Sequence, residues 1–193
     1  MAKAILIFSL ALTLHSGIRA YSGPKCLGTF CIDRKTAVRK LFGQLGSPAR
    51  KAEPFCYESQ GRQTSLYILT IDTEQDVAGE VMISDFSNCM HKARQITTSD
   101  LYAWKTPEGI GLGSREIDVV KAYGKPYSEL KIDSTNLRWM QMIIHGFRHG
   151  DDVPQVGDKA ISYAAGEESE DLSLAQFGIR KGRVCWIRLS MSE

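Results

Sequence analysis

Leu112-Gly113-Ser114-Arg115-Glu116-Ile117-Asp118-Val119-Val120-Lys121-Ala122-Tyr123-Gly124 follows, eighty-one residues later, the physical plan of Cys31-Ile32-Asp33-Arg34-Lys35-Thr36-Ala37-Val38-Arg39-Lys40-Leu41-Phe42-Gly43. Asp33 and Ser114 each offer a side-chain oxygen to the unpaired amides of a first helical turn. Apolar residues then recur at 37, 38, 41 and 42 in one stretch and at 119, 120, 122 and 123 in the other, the spacing of a short amphipathic helix. Gly43 and Gly124 stand where the residue after a helix needs positive φ, and Pro48 and Pro126 block continuation.

Outward from these helices, both halves turn β-rich. Phe55–Ser59, Ser65–Asp72 and Glu80–Ser84 in the first half match Lys159–Ala165, Leu172–Ile179 and Arg183–Ser190 in the second. Polar or Gly-centred turns separate them. The expectation is an α+β fold of two tandem repeats, each a short helical segment packed on an antiparallel β-meander. The competing account is two unrelated α+β stretches that share common caps and turns. The repeats are placed at 21–92 and 93–193, after a leader at 1–20. The helices are offset by 81 residues but Tyr57 and Tyr163 by 106, which leaves an insertion of about 25 residues at about 127–158. Within it Leu137, Met140, Ile144 and Phe147, widened by Trp139 and Ile143, are spaced like a helix face. A strand over Met140 to Ile144 is the alternative.

Ala4 to Leu14 is an apolar run behind Lys3, too short to span a bilayer, and Ala20 supplies the small residue that precedes signal cleavage. Retention as a membrane anchor is the rival reading. Losing Lys3 and Arg19 lowers Lys+Arg from 24 to 22, against 22 Asp+Glu, so the mature chain is formally neutral and has no general field for nucleic acid. No later stretch is long and apolar enough to insert in a membrane, and the expected location is periplasmic or extracellular. The remaining composition, 43% apolar and 24% charged over 193 residues, excludes disorder, collagen and coiled coil.

Gly109-Ile110-Gly111-Leu112-Gly113-Ser114-Arg115-Glu116, with Val119 and Tyr123-Gly124-Lys125-Pro126, resembles the helix-start signature of the small outer-membrane assembly lipoprotein superfamily (BamE, SmpA, OmlA). Two such units on one exported chain are similar in layout to the β-lactamase inhibitory protein. The resemblance implies a non-enzymatic protein that binds other proteins through its sheet and loops. It carries no contact residue over, and the lipid-bearing cysteine context of the lipoproteins is absent here.

Export places the five cysteines in an oxidising compartment. Cys185, between Val184 and Trp186, reads as a small buried hydrophobe left over from the bridges. Cys26, Cys31, Cys56 and Cys89 allow three connectivities. The favoured one is Cys31–Cys56, joining the helix start to the first strand, with Cys26–Cys89 tying the ends of the repeat. A four-cysteine zinc site would need paired C-x2–4-C knuckles, a set that the spacings of 4, 24 and 32 intervening residues do not supply.

His145 and His149 stand at i and i+4 and could chelate a metal on a helix, yet Gly146 weakens that helix and the Glu of H-E-x-x-H is missing. Cys89 and His91 form the only thiol and base neighbours. Neither pair makes a convincing centre, and no cofactor or catalytic residue is expected. Glu167, Glu168, Glu170 and Asp171 form an acidic turn suited to steering a basic partner. Tyr21, Tyr102, Trp104 and Trp139 are aromatic contact candidates. The functional expectation is an exported protein-binding module of the bacterial envelope, inhibitor-like or scaffold-like. The alternatives are a metal- or thiol-dependent envelope enzyme and a purely structural envelope protein.

Overall fold

Alternation with period two decides which face of a strand is buried, and here both faces of the central strands are apolar. A computed structural model of the chain describes residues 23–31, 36–48, 55–59, 64–72, 76–86, 94–96, 103–133, 157–165 and 173–190. The elements run β1 (Cys26–Leu27), β2 (Phe30–Cys31), α1 (Val38–Leu45), β3 (Phe55–Ser59), β4 (Ser65–Asp72), β5 (Val77–Ser84), β6 (Arg94–Ile96), α2 (Glu116–Tyr123), β7 (Ser128–Lys131), β8 (Lys159–Ala165), β9 (Ser173–Arg180) and β10 (Arg183–Ser190). Strands β3 to β10 form one eight-stranded sheet of order β6-β3-β4-β5-β10-β9-β8-β7. Every pairing in it is antiparallel except β3 with β6.

This architecture corrects the expected fold class. The protein is mostly β, with two short helices among the described residues, and is not a pair of helix-on-meander repeats. The seam between β5 and β10 overturns that layout. Ile187 faces Ile83 and Leu189 faces Val81 across it, and all four side chains belong to the main core. Two separate meanders would leave those four residues on exposed strand edges, which is unfavourable both for apolar area and for unpaired backbone groups.

The main core lies on one face of the sheet. Val38, Leu41 and Leu45 of α1, Val119 and Tyr123 of α2, Leu27 and Phe30 of the β1–β2 hairpin, and Ile110 and Leu112 all pack there against the inward residues of the strands. A smaller cluster of Tyr67, Met82, Phe86, Ile132, Ala160, Cys185 and Trp186 lies on the opposite face. The register shift between Val184 and Trp186 in β10 places Cys185 and Trp186 together in that second cluster. Trp186 sits directly across from Gly178, where a Cβ would fall 1.9 Å from the indole Nε1. Gly178→Ala is therefore expected to lower stability by about 1–3 kcal/mol, measured by urea unfolding, because Trp186 must leave its site. An unchanged midpoint would show that the indole can move freely.

Helix boundaries differ from expectation for physical reasons. Helix α1 runs through Gly43 and ends at Gly46, whose φ of 80° is the positive one, because two further residues bring Leu45 into the core. Its first amide is met by the turn that leads into β5, with Val38 N–H donating to Asp76 O, while Asp33 lies outside the described residues. Ser114 is not the cap of α2. Arg115 holds that position, and Ser114 is occupied elsewhere: its hydroxyl accepts from Gly111 N–H and its carbonyl from Val184 N–H. Gly124 does close α2 with φ 78°. Tyr57 of β3 donates to Gly46 O, and Tyr163 of β8 donates to Gly124 O, so each helix end has a carbonyl capped by a tyrosine hydroxyl.

The insertion begins as a strand, since β7 extends the sheet beside β8 through Ser128–Lys131. The helix face expected from Leu137 to Phe147 lies outside the described residues.

Candidate functional site

The β9–β10 connection is the two-residue turn Lys181-Gly182, with φ of 50° and 70°. Both central residues at positive φ match the hairpin turn whose twist suits the flanking strands. Asp158 Oδ2 accepts the Lys181 N–H, which steadies the turn. The start of α2 is attached to this hairpin by backbone bonds: Glu116 N–H donates to Gly182 O, Gly113 N–H to Val184 O, and Val184 N–H to Ser114 O. The Arg183 guanidinium also donates to Gly113 O at 2.9 Å.

Between these elements lies an open groove of about 480 Å³ lined by Arg115, Glu116, Ile117, Val120, Lys181, Gly182 and Arg183. Three of the lining residues are cationic and one is acidic. Glu116 is already engaged, accepting from the Lys159 ammonium at 2.7 Å while Lys159 also reaches Glu129 at 2.9 Å. Those two hydrogen bonds hold the Lys159 pKa above the ordinary lysine value. Arg115 makes a bidentate contact with Asp118 at 2.9 and 2.8 Å, which lowers the Asp118 pKa and raises that of Arg115. Among the described residues no carboxylate pairs with the side chain of Lys181 or Arg183. Ile117 stands 60% exposed on the groove wall, one of two large apolar side chains left exposed among the described residues; the other is Tyr127 at 74%.

No protein family, curated protein or solved structure matches this chain.

The candidates read from the sequence fall in different places. Cys26 is joined to Cys31, its register partner in the β1–β2 hairpin, which corrects the expected Cys31–Cys56 and Cys26–Cys89 pairing. The hairpin brings the two β-carbons together across a tight turn, whereas Cys31 and Cys56 belong to different sheets. Leu27 and Phe30, inside that loop, are fully buried, so the bridge clamps an apolar tip into the core. Cys56 is also disulfide-bonded, and Cys89 lies outside the described residues. Cys185 is a buried thiol outside any bridge. Trp104 is buried against Gly28, whose φ of 58° and missing Cβ admit the ring.

His145, His149 and His91 lie outside the described residues, as do Glu167, Glu168, Glu170, Asp171, Tyr21, Tyr102 and Trp139. Among the described residues no three His, Cys, Asp or Glu side chains gather as metal ligands would. No described helix is long and apolar enough to cross a membrane.

Arg115, Lys181 and Arg183 are absent from the sequence-based site. Lys181-Gly182-Arg183 reads locally as a turn and Arg115 as the start of a helix, sixty-six residues before Lys181. The backbone bonds of Gly113, Ser114 and Glu116 with Gly182 and Val184 bring them together. The available signal was three cations bordering turn and cap positions.

Proposed function

We propose that this protein is an exported, non-enzymatic protein-binding module that receives its partner on the groove between α2 and the β9–β10 turn. The observation that carries this reading is the exposure of Ile117 beside Lys181 and Arg183, on a scaffold that buries nearly every other described large apolar side chain. An exposed apolar residue ringed by charge is the surface chemistry of a recognition site. The groove floor is backbone of a hairpin and a helix start held by mutual hydrogen bonds, so the contact residues sit on rigid elements. The leader at residues 1–20 and the Cys26–Cys31 bridge support export to the periplasm or beyond.

Immobilised mature protein, incubated with periplasmic extract or culture medium, is expected to retain a partner that a Lys181→Glu, Arg183→Glu variant releases. Equal capture by both forms would remove the groove from the interface. Stoichiometric metal in the purified protein, lost on His145→Ala, would instead favour a metalloenzyme.

A further inference from the structure

We infer that the groove takes an acidic segment of a partner protein carrying an apolar side chain, with carboxylates at Lys181 and Arg183 and the apolar group against Ile117 and Val120. The inference rests on the binding-module reading and names the chemistry of its partner.

Charge complementarity selects this occupant. Three cations against one carboxylate give the lining residues a local positive excess, and that carboxylate, Glu116, is engaged by Lys159, which it shares with Glu129. A basic segment would face Lys181 and Arg183, whose side chains pair with no described carboxylate, a like-charge cost of the kind that excludes wrong partners. An anion without an apolar part would leave Ile117 in water, and a purely apolar segment would desolvate two cations without pairing them. A carboxylate-rich stretch bearing one aliphatic residue satisfies both halves of the surface.

Arg115 supplies a reserve. Its fork is held by Asp118, a partly exposed carboxylate three residues on in the same helix, so an incoming carboxylate competes with Asp118 for it. Removing Asp118 leaves the scaffold bonds of Gly113, Glu116 and Val184 untouched and adds one available cation to the groove.

The probe is a synthetic peptide of glutamates flanking one leucine, with blocked termini, titrated into the mature protein by fluorescence anisotropy at low salt. Controls replace every glutamate by glutamine, or the leucine by serine. The glutamine peptide and the Lys181→Ala, Arg183→Ala variant are each expected to bind about tenfold more weakly. Asp118→Asn is expected to tighten binding about two- to threefold, a gain that general damage to the fold cannot produce. Ile117→Ser should weaken the leucine peptide and leave the serine peptide unchanged. Raising the salt from 0.1 to 1 M, which shortens the screening length from about 10 to about 3 Å, should weaken the glutamate peptide most.

Equal affinity for the glutamate and glutamine peptides would overturn the inference, as would an Asp118→Asn variant that binds no tighter. If the peptide fails while a captured partner still depends on Ile117, the partner chemistry is wrong and the module reading stands. If neither binds, both fall. Concentration-dependent oligomers dissolved by Lys181→Glu, Arg183→Glu would assign the groove to a second copy of this chain and overturn the foreign partner.

Discussion

Glu80→Ala is expected to cost about 3–5 kcal/mol of folding free energy, the usual penalty for leaving one partner of a buried ion pair uncompensated. Glu80 is 6% exposed, and its carboxylate accepts from Arg188 Nε across the seam between β5 and β10. The Arg188 side chain is itself only 11% exposed. Its Nη1 donates to Gln176 Oε1 at 2.8 Å, and Gln176 Nε2 donates to Ser162 Oγ at 3.3 Å. One polar row therefore crosses β5, β10, β9 and β8, and its Glu80–Arg188 pair spans the β5–β10 seam, the pairing least visible in the sequence. Truncating Glu80 leaves the guanidinium with its amide partner but no counter-charge.

A Glu80→Met, Arg188→Met double variant removes both charges and is expected to lose far less than the sum of the single changes. Urea unfolding of the four proteins measures the coupling directly. A single-variant loss below about 1 kcal/mol, or strict additivity, would show that water screens the pair and that burial on this face is incomplete.

The same row illustrates what was legible in the chain. Phe55–Ser59, Ser65–Asp72, Lys159–Ala165 and Arg183–Ser190 occupy the spans that their residue pattern indicates. Period-two burial and flanking turn residues are local properties. Two helices at 38–45 and 116–123 likewise follow from apolar spacing, and Gly124 closes the second, whereas the first runs past Gly43 to Gly46. The partner of each strand is not a local property. Val81 and Ile83 meet Leu189 and Ile187 from more than a hundred residues away, and nothing in either stretch names the other. Reading similar helices and strands as separate units assigned every strand a partner within its own half and so missed the seam.

The cysteines failed for a related reason: the β1–β2 hairpin is two short strands around Gly28-Thr29, too brief for periodicity to show. Once that hairpin exists, Cys26 and Cys31 are neighbours and the longer pairings are excluded. The groove is further still from local reading, because its cations come from a helix start and a hairpin turn that become adjacent through long-range backbone bonds such as those of Gly113, Ser114 and Glu116 with Val184 and Gly182.

Alkaline solution should unfold this protein steeply, and Cys185 carries the most clearly assigned part of the effect. The thiol is 1% exposed, and burial, reinforced by the charge of Asp85, pushes its pKa from the ordinary 9.0 up to about 12. Between those values the unfolded chain releases the thiol proton while the native protein keeps it. The native state then binds more protons than the unfolded one, so stability falls as pH rises, by about 1.4 kcal/mol for each pH unit. Below pH 9 the thiol is protonated in both states and contributes no pH dependence. Burial raises Tyr163 to about 12 as well, and moves Tyr57 and Tyr123 in the same direction, the latter held between Thr106 and the Glu108 carboxylate. Their loss adds to the slope above the ordinary tyrosine range near 10. Urea unfolding at successive pH values from 8 to 11 should show the wild-type protein weakening from pH 9 onward, and Cys185→Ala starting from a lower stability but declining by one proton less. The variant should also refold more completely, because the unfolded chain no longer carries the Cys185 thiolate that attacks the Cys26–Cys31 bridge. Parallel pH profiles for the two proteins would mean that the thiol titrates equally in both states, and that its burial does not hold the proton.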